Sequence, residues 1–156
     1  MPATTLTLLE STPVATVLLP SIPLKTDFGA WKPTFHFAIE AGNPNRTFAV
    51  DPTTGRVTLV AELDRETAAR HVLRIGVTDL SLPCLRSTLT LTVIVTDVND
   101  NAPVFELPEH PGVAVTGLTA TVEEGETKGK VIYKVHAGDR DANDTMTYEQ
   151  IGRAHV

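Results

Sequence analysis

From Thr88 to Thr96 the chain alternates, with apolar Leu89, Leu91, Val93 and Val95 separated mostly by threonines. A period of two puts the apolar set on one face and the threonines on the other, which predicts a half-buried strand. Val72 to Val77, Phe35 to Ile39 and Val57 to Val60 follow the same rule. Turn-forming runs separate them, notably Asp51-Pro52-Thr53-Thr54-Gly55 and Gly42-Asn43-Pro44-Asn45. Short strands punctuated this often predict an all-β sandwich. Leu63 to Ala69 predicts a single helical turn, and nothing has the 3.6-residue period of a long amphipathic helix.

A repeat is visible within the chain. Leu8-Leu9-Glu10-Ser11-Thr12 recurs as Thr121-Val122-Glu123-Glu124-Gly125 roughly one sandwich domain, ~100 residues, further along. The boundary is expected at Asp97-Val98-Asn99-Asp100-Asn101-Ala102-Pro103, a polar run closed by proline directly after the clearest strand. This gives a first domain over 1–103, including a linker at 97–103, and the beginning of a second over 104–150. The last residues, Ile151 to Val156, do not continue the pattern. They can be encoded by ATC GGA AGA GCA CAC GTC, which matches a widely used sequencing-library adapter, so no function is expected of them.

Composition supports the β-rich reading, with 42 % apolar and 21 % charged residues, 11 prolines and 10 glycines. Nineteen acids against 13 Lys and Arg, a net charge of -6, exclude a nucleic-acid partner, which needs clustered cationic side chains. The longest apolar stretch, Ala15 to Leu24, is broken by Pro20 and Pro23 and has no basic residues before it, so it reads as neither a membrane span nor a signal peptide. Cys84 is the only cysteine and reads as a small buried hydrophobe. Pairing it with His71 gives the one nucleophile and base worth naming, but no orienting third group accompanies them, and an enzyme is not expected. His36, His110 and His136 lack metal-ligand spacing.

The acids point instead to a hard cation. Calcium takes six to eight oxygen ligands, and Asp97-Val98-Asn99-Asp100-Asn101 supplies four oxygen-bearing side chains in a short run. In extended backbone Asp97, Asn99 and Asn101 project to one side and Asp100 to the other, so the run can serve two ion positions. Glu10, Asp64-Arg65-Glu66 and Asp139-Arg140-Asp141 are the remaining acidic clusters. Asp139-Arg140-Asp141-Ala142-Asn143 opens like an EF-hand loop, but Asp144 stands where glycine is needed and Gln150 where the closing glutamate belongs.

The succession Phe48 to Val57, Leu63-Asp64-Arg65-Glu66, Val77-Thr78-Asp79 and Asp97 to Pro103, then Val104-Phe105, closely resembles a cadherin repeat, and the resemblance covers roughly residues 6–150. It implies an immunoglobulin-like Greek-key sandwich, with about three calcium ions between successive repeats. By matching motif, Glu10, Asp64, Glu66 and Asp100 take the first ion. Glu10, Glu66, Asp97, Asp100, Asp141 and the Val98 carbonyl take the second; Asn99, Asn101, Asp139, Asp141 and a carbonyl near Asn143 take the third. So many acids repel one another without metal, so the ion-free linker is expected to be loose and the loaded linker stiff.

The first repeat departs from the family at its other end. Lys25-Thr26-Asp27 stands where an Asp-x-Asp pair is usual, which leaves Asp27 and Asp79 as the ligands toward an upstream junction. Asn45-Arg46-Thr47 and Asn143-Asp144-Thr145 fit the glycosylation acceptor pattern, at Asn45 and Asn143. Trp31 is expected to pack in the ordinary way. The resemblance implies a calcium-binding ectodomain segment of a cell-adhesion molecule on the outer side of the plasma membrane. Related ectodomains on adjacent cells would be its homophilic partners, and a transmembrane segment would lie outside this sequence. The alternative is a ligand-presenting ectodomain of a cadherin-repeat signalling receptor.

Overall fold

A computed structural model describes residues 3–24, 33–81, 85–142 and 145–149. Lys25, Asp27, Trp31, Cys84, Asn143 and Ile151 to Val156 lie outside the described residues, and with them the readings attached to those positions. The chain divides into two compact units, Met1–Val98 and Asn99–Val156.

The first unit is a sandwich of two sheets. Strands β1 (Ala3–Leu9), β7 (Arg86–Thr96), β6 (Arg70–Asp79) and β3 (Phe35–Ala41) form one sheet in the order β1-β7-β6-β3. Strands β2 (Val17–Leu19), β5 (Val57–Leu59) and β4 (Phe48–Val50) form the other, in the order β2-β5-β4. The alternation in β7 is realised as expected: Leu89, Leu91, Val93 and Val95 are buried, whereas Ile94 faces outward. They meet Leu73 and Ile75 of β6, Phe37 of β3, and Phe48, Val57 and Leu59 from the opposite sheet. Each fully buried aliphatic side chain of this kind contributes about 1.5–3 kcal/mol. The broken apolar stretch before Leu24 supplies β2 and the buried Ile22. Among the described residues no helix is long and apolar enough to cross a membrane.

Two local features shape the sheets. A bulge between Ile39 and Ala41 shifts the register of β3 on β6. The chain then turns at Gly42, whose φ of +84° suits glycine and where a Cβ would lie 1.8 Å from the Val72 carbonyl oxygen. In the next turn the Asn43 side chain acts as a strand partner for Phe48, donating to its carbonyl at 2.7 Å and accepting from its amide at 3.2 Å. Asn45 is exposed in this turn.

The predicted helical turn is α1 (Arg65–Ala68), capped by Asp64. Its end is tied to β7 by the Val95 amide, which donates to the Ala69 carbonyl at 2.9 Å. Strand β1 runs parallel to β7 from Ala3↔Thr90 to Leu9↔Thr96, so the residue after β1 and the residues after β7 emerge at the same end of the sheet. Asp79 closes the far end of β6, about 30 Å away by strand rise.

The second unit contains β8 (Val104–Leu107), β9 (His110–Ala114) and β10 (His136–Gly138), in the order β10-β8-β9. Thr121 to Gly125, which repeats the sequence at the end of β1, forms no strand here. In the first unit the corresponding strand β1 is held by β7. Val131, Ile132, Tyr133 and Val135 are exposed.

Candidate metal centre

Glu10 is the first residue after β1, and its amide donates to the Thr96 carbonyl at 3.1 Å, continuing the ladder by one bond. The side chain is buried, 7 % exposed. Its two oxygens are divided between two distant segments: Oε1 accepts the Val98 amide at 2.6 Å and Oε2 accepts the Arg65 amide at 2.9 Å. Glu10 therefore joins the end of β1, the start of α1 and the exit of β7.

Around it stand the other acids of this unit. A carboxylate oxygen of Glu66 lies within 4.8 Å of one from Glu10, and likewise of one from Asp97. Burial raises the Glu66 pKa, and the charges of Glu10 and Asp97 push the same way, against the pull of its own amide and of Arg65. The Arg65 guanidinium sits among them, donating from Nε to Asp97 and from Nη2 to Glu66. Burial pulls the Arg65 pKa down, but its bond to Asp97 and the neighbouring carboxylates outweigh this and raise it. Asp64 is turned to α1, where its oxygens accept from the Thr67 amide at 3.0 Å and the Thr67 hydroxyl at 2.7 Å. Those bonds, the hydroxyl first, lower its pKa. An ionised carboxylate offers about four lone-pair sites, so capping leaves Asp64 able to face a cation as well.

In the second unit the ligand candidates form their own set. Asp141 is buried and accepts from the Asn101 amide at 2.9 Å and from its side-chain Nδ2 at 2.6 Å; the same Nδ2 lies 2.8 Å from Asp100. Asp139 Oδ1 accepts the Asp141 amide at 3.0 Å. Its other oxygen, Oδ2, is buried and has no hydrogen-bond partner among the described residues. A buried carboxylate oxygen without a donor is costly. It stands beside a cavity of about 310 Å³ lined by Asn99, Asn101 and Asp139 on its polar side and by Phe105, Met146 and Tyr148 on its apolar side. An acceptor-only atom with amide and carboxylate oxygens near it fits a hard divalent cation.

The structure thus brings Glu10, Glu66, Asp97 and the Val98 backbone together in the first unit, and Asn99, Asn101, Asp139 and Asp141 in the second. Asp100 is exposed beside Asn101. Asp79, assigned to an upstream junction, is buried at the opposite end of the first sandwich and accepts the Ser81 amide at 2.8 Å. Arg65 was absent from the sequence-derived set. Its place between two acidic ligands, Asp64 and Glu66, is the signal that could have singled it out.

The sequence model of the Cadherin domain matches residues 6–96. Human Protocadherin-23 is 37 % identical over 115 residues, covering 72 % of this chain and 3 % of that protein. Human Cadherin EGF LAG seven-pass G-type receptor 2 is 37 % identical over 103 residues, covering 60 % of this chain and 4 % of that protein. The chain therefore spans only a few per cent of the length of these relatives. Among solved structures, Drosophila N-cadherin EC1-4 superposes with a TM-score of 0.64 at 31 % identity, covering 91 % of this chain and 33 % of that one. Cadherin repeats are non-enzymatic ectodomain modules, in keeping with a site built of acids and amides. With the β-sandwich, the acids gathered by β1, α1 and β7, and a domain match over more than half its residues, the chain belongs to the cadherin family.

Proposed function

We propose that this chain is a calcium-binding segment of the extracellular part of a cell-adhesion protein of the plasma membrane, acting as a scaffold for homophilic contact between cells. The observation that carries the reading is the buried Oδ2 of Asp139, an acceptor without a hydrogen-bond partner among the described residues, on a side chain that lines one cavity with Asn99 and Asn101. The gathering of Glu10, Glu66 and Asp97 in the first unit supports it. About three ions are expected, with Glu10, Asp64, Glu66, Asp97 and the Val98 carbonyl serving from the first unit, and Asn99, Asp100, Asn101, Asp139, Asp141 and the segment at Asn143 from the second. Bound calcium supplies positive charge that offsets the repulsion among these acids and so stiffens the chain. Domains 1–103 and 104–150 are the corresponding repeats, Asp27 and Asp79 the remnant of an upstream site, and Asn45, exposed in a turn, and Asn143 the glycosylation acceptors.

Calorimetric titration with calcium tests this directly. The chain is expected to bind about three ions, and Asp100→Ala to lose most of that binding; no heat with the unaltered chain would overturn the reading. Beads coated with the chain should aggregate in calcium and disperse in chelator. A second reading, a receptor ectodomain that presents a ligand site, draws on the similarity to the seven-pass receptor. Coated beads that ignore one another in calcium but bind cells lacking the chain would favour it.

A further inference from the structure

We propose that Arg65 is the resident counter-ion of the first unit's acid cluster, held in place when no metal is bound and displaced when calcium binds, so that it sets the calcium concentration at which the site fills. The inference rests on the calcium reading above and concerns how the same site is tuned.

Three observations carry it. First, the Arg65 guanidinium bonds to Asp97 and to Glu66, both assigned as ligands for the cation. The planar fork of arginine matches two carboxylates at once, which a flexible ammonium does less well. Second, the backbone that carries it is fixed: the Arg65 amide donates to Glu10 Oε2 at 2.9 Å, and Asp64 caps the helical turn that Arg65 opens. The side chain therefore starts from inside the cluster. Third, the Arg65 side chain is only 19 % exposed, so solvent screens it less than a surface arginine.

The Arg65 guanidinium and a divalent ion drawn to the same two carboxylates repel each other, so filling the site is expected to move Arg65 outward. The single positive charge of Arg65 offsets part of the negative charge of Glu10, Glu66 and Asp97, so the ion-free cluster repels itself less than its acids alone imply.

The test compares the unaltered chain with Arg65→Met, which keeps the stem and removes the charge, and with Arg65→Lys, which keeps the charge and loses the fork. Melting in chelator and calcium titration by calorimetry are both read. Arg65→Met is expected to melt lower than the parent in chelator and to bind calcium severalfold more tightly, so that the melting gap narrows in calcium. Arg65→Lys should fall between them and shows whether the site still folds. Calcium binding by Arg65→Met that is equal to or weaker than the parent's, or an unchanged melting temperature in chelator, would overturn the counter-ion role while leaving the calcium reading intact. A parent that binds no calcium would remove the calcium reading and the competition with it.

Discussion

Glu10 reaches Val98 across 88 positions of sequence, its Oε1 accepting the Val98 amide at 2.6 Å while Oε2 accepts that of Arg65. This buried carboxylate is thus a structural staple as well as a candidate ligand. Glu10→Ala leaves two amides without their acceptor, each costing about 1–3 kcal/mol if it stays buried. Thermal melts in chelator, where no metal contributes, should show a clear loss, with Glu10→Gln intermediate because its amide retains one acceptor oxygen. Equal melting temperatures for Glu10→Ala and the parent in chelator would show that Glu10 holds nothing without metal.

Gly76 leaves the space that Glu40 fills. A Cβ at Gly76 would lie 1.7 Å from Oε1 of Glu40, whose side chain rests across β6 with Oε2 meeting Arg74 at 3.1 Å and Oε1 meeting Arg86. Gly76→Ala must push Glu40 away from both arginines, whose side chains are 60 % exposed. In a chain already carrying Glu40→Ala that conflict is gone, and Gly76→Ala is expected to stabilise by the usual ~0.5–1 kcal/mol for removing a glycine from a strand. A double-mutant cycle by urea denaturation checks the change of sign. An additive cycle would count against the steric account.

Asp51 governs the turn between β4 and β5. Its Oδ1 accepts from the Thr54 amide at 2.8 Å and from the Thr53 hydroxyl and amide at 2.8 and 2.9 Å. These bonds, that of the Thr54 amide first, hold its pKa far below the usual carboxylate range. Because the folded value is depressed, the stability Asp51 contributes is fully present above its unfolded pKa of about 4 and is lost as pH falls below it. Melting temperature plotted against pH should therefore decline more steeply below about pH 4 for the parent than for Asp51→Ala. Parallel curves would show that the turn bonds do not favour the ionised form.

Much of this was legible from the chain itself. Leu89, Leu91, Val93 and Val95 point inward because period-two alternation leaves a strand no other way to bury them. The single helical turn within Leu63 to Ala69 was expected from the sequence, and the structure shows Asp64 capping it. The strand at Ala3–Leu9 was less legible, since only its parallel register on β7 gives it a partner. His71 stood in an alternating pattern, but its edge-to-face contact with Phe48, ring centroids 5.1 Å apart, depends on how the two sheets stack.

The sequence by itself determined the class of fold, through the alternation of apolar and polar positions, and the chemistry of the site, through the kinds and spacing of its acids and amides. The tertiary structure decided which groups face which: that Glu10 joins Arg65 to Val98, that Arg65 stands among the acids, and that Asp139 Oδ2 is buried without a hydrogen-bond partner among the described residues. Side-chain type and strand period are local properties, readable from neighbours in the chain. The Glu10 bonds join residues 55 and 88 positions apart, and only strand order and register bring such residues together.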